Sequence, residues 1–168
     1  LLGTSVALGG LALVPAVIPF NARADKSLTL HVLQTGEQET VTFWSGGDYL
    51  EDGLAALNRL LRDFKTDVLG VTDLNLLNAL HAMITGHDPK AEIEIVRGYI
   101  AEDPKAPFPE GSPDHYHAQG KAVDLRVPGI SLEHLAMDFI RWIDGGAGIY
   151  TKKEFVHLDV GHPRRWVG

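Results

Sequence analysis

Two short segments constrain this chain more than any other feature. In "KAVDLRV", Lys121 to Val127, and "FVHLDV", Phe155 to Val160, apolar residues occupy every second position. Side chains on a β-strand alternate between its two faces. Val123, Leu125 and Val127 therefore share one face, with Ala122 and Asp124 on the other. In the later segment Val156, Leu158 and Val160 share one face, with His157 and Asp159 opposite. Each segment predicts a strand that buries an apolar face and presents an acid or an imidazole on the other. The first is preceded by "HYHAQG", in which His115 and His117 stand two apart and Gly120 permits a close backbone bend.

The rest of the chain supplies the partners such strands need. "SLTLHV" and "ETVTFW" alternate on either side of Thr35-Gly36 and predict a hairpin. Leu54, Leu57, Leu61 and Phe64 fall on one helical stripe. Thr72 can cap a second helix, with Leu74, Leu77, Leu80 and Ile84 inward and Gly86 at its end. "AEIEIVRGY" reads as a strand with Ile93 and Ile95 on one face, followed by a polar loop over residues 101–114. Ser131 can cap a third helix carrying Leu132, Leu135, Phe139 and Ile143, which stops at Gly145-Gly146. The expected class is α+β: a small antiparallel sheet carrying the histidines and acids, flanked by helices.

The first segment, "LLGTSVALGGLALVPAVIPFNARA", stands apart. It has no charge before Arg23, contains Pro15 and Pro19, and ends in the A-x-A pattern Ala22-Arg23-Ala24. Residues 1–24 are expected to be a secretory signal, with a retained membrane anchor or a buried helix as the competing readings. A single mature domain, 25–168, follows, with no span after cleavage. The net charge of -7 and the lack of any basic run argue against nucleic acid as a partner. With no cysteine, disulfides are excluded and any metal site must draw on His, Asp and Glu.

His117, Asp124 and His157 together offer two imidazoles and one carboxylate. That set suits a divalent ion, most often zinc, with one position left for water. Such a site polarises a carbonyl and acidifies its water, and a nearby carboxylate can shuttle the proton. Any one of these histidines alone is more often a core or surface residue, so the case rests on the joint pattern.

At these residues the chain resembles a known family. His117-x-x-Gly120-x-Ala122-x-Asp124 with the later Phe155-Val156-His157-x-Asp159 is similar to the zinc peptidases of the D-alanyl-D-alanine carboxypeptidase class, which share the hedgehog domain's fold. "LTLHVLQTGEQETVTFW", "LNRLLRDF", "DLRVPGISLEHL", "GGAGIY" and "FVHLDVGHPRRW" look like its murein endopeptidase K subgroup. The resemblance implies one Zn2+ on His117, Asp124 and His157. It implies a periplasmic hydrolase acting on peptidoglycan stem peptides or their cross-links, in a subgroup whose members are often exported by the twin-arginine route. It offers two general bases: Glu154, three positions before the last ligand, and Asp159, two after it. Asp159 can instead orient a ligand, and Glu154 can be a solvated charge.

Two departures stand out. Relatives often read Ser-Gly-Tyr-Arg where this chain has Arg97-Gly98-Tyr99-Ile100, and strand parity puts position 97 on the face opposite position 100. Arg97 either reaches substrate from another direction or is a surface charge. His115 stands where relatives often have Ser, as a substrate-site residue, a partner to a ligand, or an exposed loop histidine. These departures motivate a second hypothesis, a non-catalytic metal-containing module of the same fold that holds peptidoglycan or a protein.

Overall fold

The computed structural model describes residues 24–168. The expected signal segment therefore lies outside the described residues, apart from its last position. Among the described residues no helix is long and apolar enough to cross a membrane.

The chain runs β1 (Lys26–Val32), β2 (Gln38–Ser45), β3 (Asp48–Tyr49), α1 (Glu51–Leu60), α2 (Leu74–Thr85) and β4 (Glu92–Arg97). It continues with α3 (Pro113–Ala118), β5 (Ala122–Arg126), α4 (Leu132–Trp142), β6 (Gly146–Tyr150), β7 (Phe155–Asp159) and β8 (Arg164–Val167). The fold is α+β as expected. The sheet is neither small nor purely antiparallel: eight strands lie in the order β3-β2-β1-β4-β5-β7-β6-β8. β1 pairs with β4 in parallel, and so does β6 with β8. Residue alternation reports faces and not strand direction, which is set by the connections. Here α1 and α2 return the chain to the end from which β1 started, and the turn after β7 carries it past β6 to that strand's far edge.

Helices α1, α2 and α4 pack on one face of the sheet. Leu28, Leu30, Phe43, Ile93, Ile95, Val123, Leu125, Val156 and Leu158 meet Leu57, Leu77, Leu80, Leu135 and Phe139 in one continuous core. Ser131 caps α4, its hydroxyl accepting the His134 amide at 3.2 Å. The cap of α2 is Asp73, one residue beyond the expected Thr72; its carboxylate accepts the Asn75 amide at 2.7 Å. Thr72 is instead buried, its amide donating to Asn58. Leu74, expected inward, is 38% exposed because the helix begins on it.

The other face is polar. At β1 and β2 it carries the hydroxyl pairs Ser27–Thr42 and Thr29–Thr40. At β5 and β7 it is covered, because α3 lies against both strands. Every residue of β7 is consequently buried on both faces.

The segment after β4 is pinned from below. The Tyr99 amide donates to the Leu61 carbonyl at 2.6 Å. The Ala101 amide donates to Asp63 Oδ2 at 2.9 Å, while Asp63 Oδ1 accepts the Lys65 amide at 2.8 Å. Asp63 is buried, which pushes its carboxyl up, but these amides outweigh burial and hold it below the usual carboxylate range. Its stabilising contribution is complete above the unfolded value of about 3.9 and is lost as pH falls below that value towards the folded pKa. Asp63→Ala is expected to cost about 2 kcal/mol at neutral pH, with a difference from the parent that shrinks on acidification below about pH 4, measured by urea unfolding across pH.

Candidate metal centre

His117 lies in the last turn of α3, a one-and-a-half-turn helix that begins inside the expected polar loop over residues 101–114. Ser112 caps it, accepting the His115 amide at 3.2 Å, and Pro113 fills its first position. Gly120 then turns the chain into β5 with φ +66°, and a β-carbon there would lie 2.0 Å from the Val71 carbonyl oxygen. Only glycine combines that dihedral with that approach, so the bend between His117 and Asp124 is fixed by one residue.

The expected trio converges. His117, Asp124 and His157 are all buried, and one donor atom from each lies within 4.8 Å of the others. Asp124 Oδ1 is 3.1 Å from His117 Nε2 and 2.8 Å from His157 Nδ1. β5 and β7 pair so that Asp124 faces His157 directly. Each side chain is held from behind. His117 Nδ1 donates to the Gly98 carbonyl at 2.6 Å, which fixes the proton there and leaves Nε2 free to bind. His157 Nε2 donates to Asp159 Oδ2 at 3.0 Å. Asp124 Oδ2 accepts Arg97 Nε at 2.8 Å. A borderline-soft divalent ion is matched by this donor set, and ligands fixed by outer hydrogen bonds are the usual accompaniment of a metal site.

The electrostatics point the same way. Burial pushes the Asp124 carboxyl up, but the two imidazoles beside it and the charge of Arg97 outweigh burial and hold it well below the usual carboxylate range. Burial pushes His117 down, and Asp124 only partly offsets this. His157 is also pushed down by burial, yet Asp124 and Asp159 together raise it.

Arg97 reaches this group because β4 is irregular. Ile95 pairs with Leu125 and Arg97 with Asp124, so Val96 is an extra residue between them. A bulge of this kind moves the following side chain to the other face. Arg97 is thereby brought beside Asp124, and its Nη1 donates to Asp114 at 2.9 Å.

The remaining candidates separate. Asp159 is fully buried: Oδ1 accepts the Gly161 amide at 2.8 Å and Arg164 Nη1 at 3.0 Å, and Oδ2 accepts His157. Glu154 stands on the bend before β7 at φ 55°, with its side chain 79% exposed and 3.7 Å from Arg126 Nη1. Arg126 shares the site face of β5 with Asp124, so Glu154 lies towards that face. The His115 ring meets the Gln119 amide at 2.6 Å and the edge of Tyr116, outside the trio. The Gly98 carbonyl left no trace in the sequence, because any residue supplies a carbonyl; Asp114 and Trp166, whose ring lies 5.4 Å from that of His157, carried no spacing signal. A second group, His31, Glu92 and Glu94, also clusters, but it is half-exposed and its carboxylates are already engaged by His31, Gln38 and Arg126.

Two buried imidazoles and a buried carboxylate with donor atoms within 4.8 Å of one another have the make-up of a metal-dependent hydrolase site. The chain belongs to the peptidoglycan L,D-endopeptidase MepK family, whose profile matches residues 21–166. It is 31% identical over 171 residues to the peptidoglycan L,D-endopeptidase MepK of Escherichia coli K12, covering 96% of this chain and 94% of that protein. It is 30% identical over 174 residues to the probable peptidoglycan L,D-endopeptidase MepK of Haemophilus influenzae, covering 97% and 94%. No solved structure gives a significant match. Gly120→Ala is expected to destabilise the fold by more than about 2 kcal/mol, combining left-handed strain with overlap against Val71, and to lower Tm by several degrees in a thermal melt.

Proposed function

We propose that this chain is a zinc-dependent peptidoglycan endopeptidase that hydrolyses L,D-amide bonds of stem peptides or of their cross-links, in the periplasm. Family membership supports the reaction, and one observation supports the site: three buried donor atoms of two imidazoles and a carboxylate within 4.8 Å of one another. His117 Nε2, Asp124 Oδ1 and His157 Nδ1 would hold one Zn2+. When bound, zinc acidifies a water to a pKa of about 7 and polarises the scissile carbonyl.

The chain's own residues divide the remaining work. Glu154 is the general base. Its carboxylate is exposed, lies towards the site face and is free of hydrogen-bond partners that would consume both oxygens, so it can take a proton and return it to the leaving amine. Asp159 is a positioning residue: its oxygens are fully engaged, and it holds His157 with Nδ1 inward. Arg97 steadies Asp124 Oδ2 so that Oδ1 points at the ion, and its remaining Nη2 is available to a substrate oxygen. His115, on α3 two residues before His117, is engaged by Gln119 and Tyr116 and is given no part in the chemistry. The binding-module alternative is not favoured, because the relatives that match nearly the whole chain are named endopeptidases.

The test uses defined cross-linked muropeptides with mass spectrometry of the products. Zinc-dependent release of peptide fragments is expected, lost with a chelator and regained with added zinc. A zinc-loaded parent that releases nothing sinks the proposal. Glu154→Gln should lower kcat by roughly 10²–10⁴-fold with zinc content unchanged. Asp159→Asn should instead weaken zinc binding roughly 10- to 100-fold, read by competition with a chromogenic chelator.

A further inference from the structure

We propose that Arg164 is a positioning residue for the metal centre, acting on His157 through Asp159, so that the last strand of the fold is part of the site. The proposal rests on the zinc reading above.

Arg164 opens β8 and pairs with Gly146 across the β6–β8 ladder. Its Nη1 donates to Asp159 Oδ1 at 3.0 Å, and Nη2, itself buried, lies 3.0 Å from Oδ2. Nη1 thus makes the hydrogen bond while Nη2 lies in charge contact without one, so the guanidinium holds the carboxylate through one hydrogen bond and a close buried ion pair. The guanidinium is in turn held between two aromatic rings, 4.7 Å from the Tyr116 centroid and 4.9 Å from that of Trp166. Tyr116 comes from α3, the helix that carries His117. The rings, the arginine and Asp159 form a stack whose end is the hydrogen bond to His157 Nε2 at 3.0 Å.

The backbone around the stack is cut to admit it. A β-carbon at Gly146 would lie 2.2 Å from Asp159 Oδ2 and 2.5 Å from Arg164 Nη1; one at Gly148 would lie 2.2 Å from the Trp166 ring; one at Gly161 would lie 2.2 Å from the Tyr116 ring. Three glycines on two segments leave room for the same assembly. A solvated surface ion pair needs no such clearance. Arg165, the next residue, is exposed and points to the opposite side, towards α4.

The clamp's effect is geometric. Asp159 without Arg164 keeps only the Gly161 amide and His157 as partners, so its plane can turn, and the His157 ring turns with it. The ligand atom Nδ1 then leaves the position facing Asp124 and His117.

The experiment measures Zn2+ affinity by chelator competition for the parent, Arg164→Met, Arg164→Lys, Arg165→Met, Asp159→Asn and the double variant D159N/R164M. Arg164→Met should weaken zinc roughly 10- to 100-fold. Arg164→Lys, which keeps the charge and loses the planar guanidinium set against the two rings, should fall between it and the parent, and Arg165→Met should match the parent. The discriminating readout is the double variant: if Arg164 acts through Asp159, it binds zinc no more weakly than Asp159→Asn alone. Losses that multiply in the double variant, or parent-like affinity in Arg164→Met, overturn the clamp while leaving the zinc reading intact. A parent that takes up no zinc overturns both. The cobalt-substituted protein provides an independent reading, since a changed d–d spectrum in Arg164→Lys reports altered ligand geometry in a variant that still folds.

Discussion

A carboxylate with 1% exposure in the middle of a sheet is tolerated only where its charge is met, and Asp124 sets that demand for the whole polar face. The groups that meet it come from three different elements: Arg97 from β4, His117 from α3 and His157 from β7. Breaking a buried pair by removing one partner costs about 3–5 kcal/mol, since the other charge is left uncompensated. The loop that pins residues 98–101, the glycine bend after α3 and the pairing of β5 with β7 all serve to deliver those three groups to one carboxylate. The same arrangement concentrates donor atoms with lone pairs at one point, which is what a cation requires.

Much of this was legible because burial and alternation are coupled. Where a strand buries one face, its apolar residues must fall on every second position, so "KAVDLRV" and "FVHLDV" disclosed both the core face and the side chains opposite it. Helical stripes were equally visible, and Ser131 announced the start of α4. The trio His117, Asp124 and His157 followed from this parity combined with residue chemistry.

What stayed hidden has a common cause: it depends on how elements meet. Strand direction is invisible to alternation, and hence the parallel pairs β1–β4 and β6–β8 went unseen. β6 itself, "GAGIY", is poor in side chains because Arg164, Asp159 and Trp166 occupy the space, so it carries no strand alternation to read. Strict parity misdirected Arg97, since the extra residue in β4 shows only in the pairing register. Parity placed Asp159 beside His157 as one of two candidate bases; its oxygens accept from His157, the Gly161 amide and Arg164, contacts on which the proposed positioning role rests.

The position of the clamp along the chain has a further consequence. β1 to β4 and both large helices of the first half precede every ligand, and Arg164, which the proposal sets on Asp159, comes with β8. The core is incomplete at that stage, since Val123, Leu125, Leu135, Phe139, Val156 and Leu158 belong to β5, α4 and β7. Interior and centre therefore close together: the strands that deliver Asp124 and His157 also deliver the apolar face that finishes the packing.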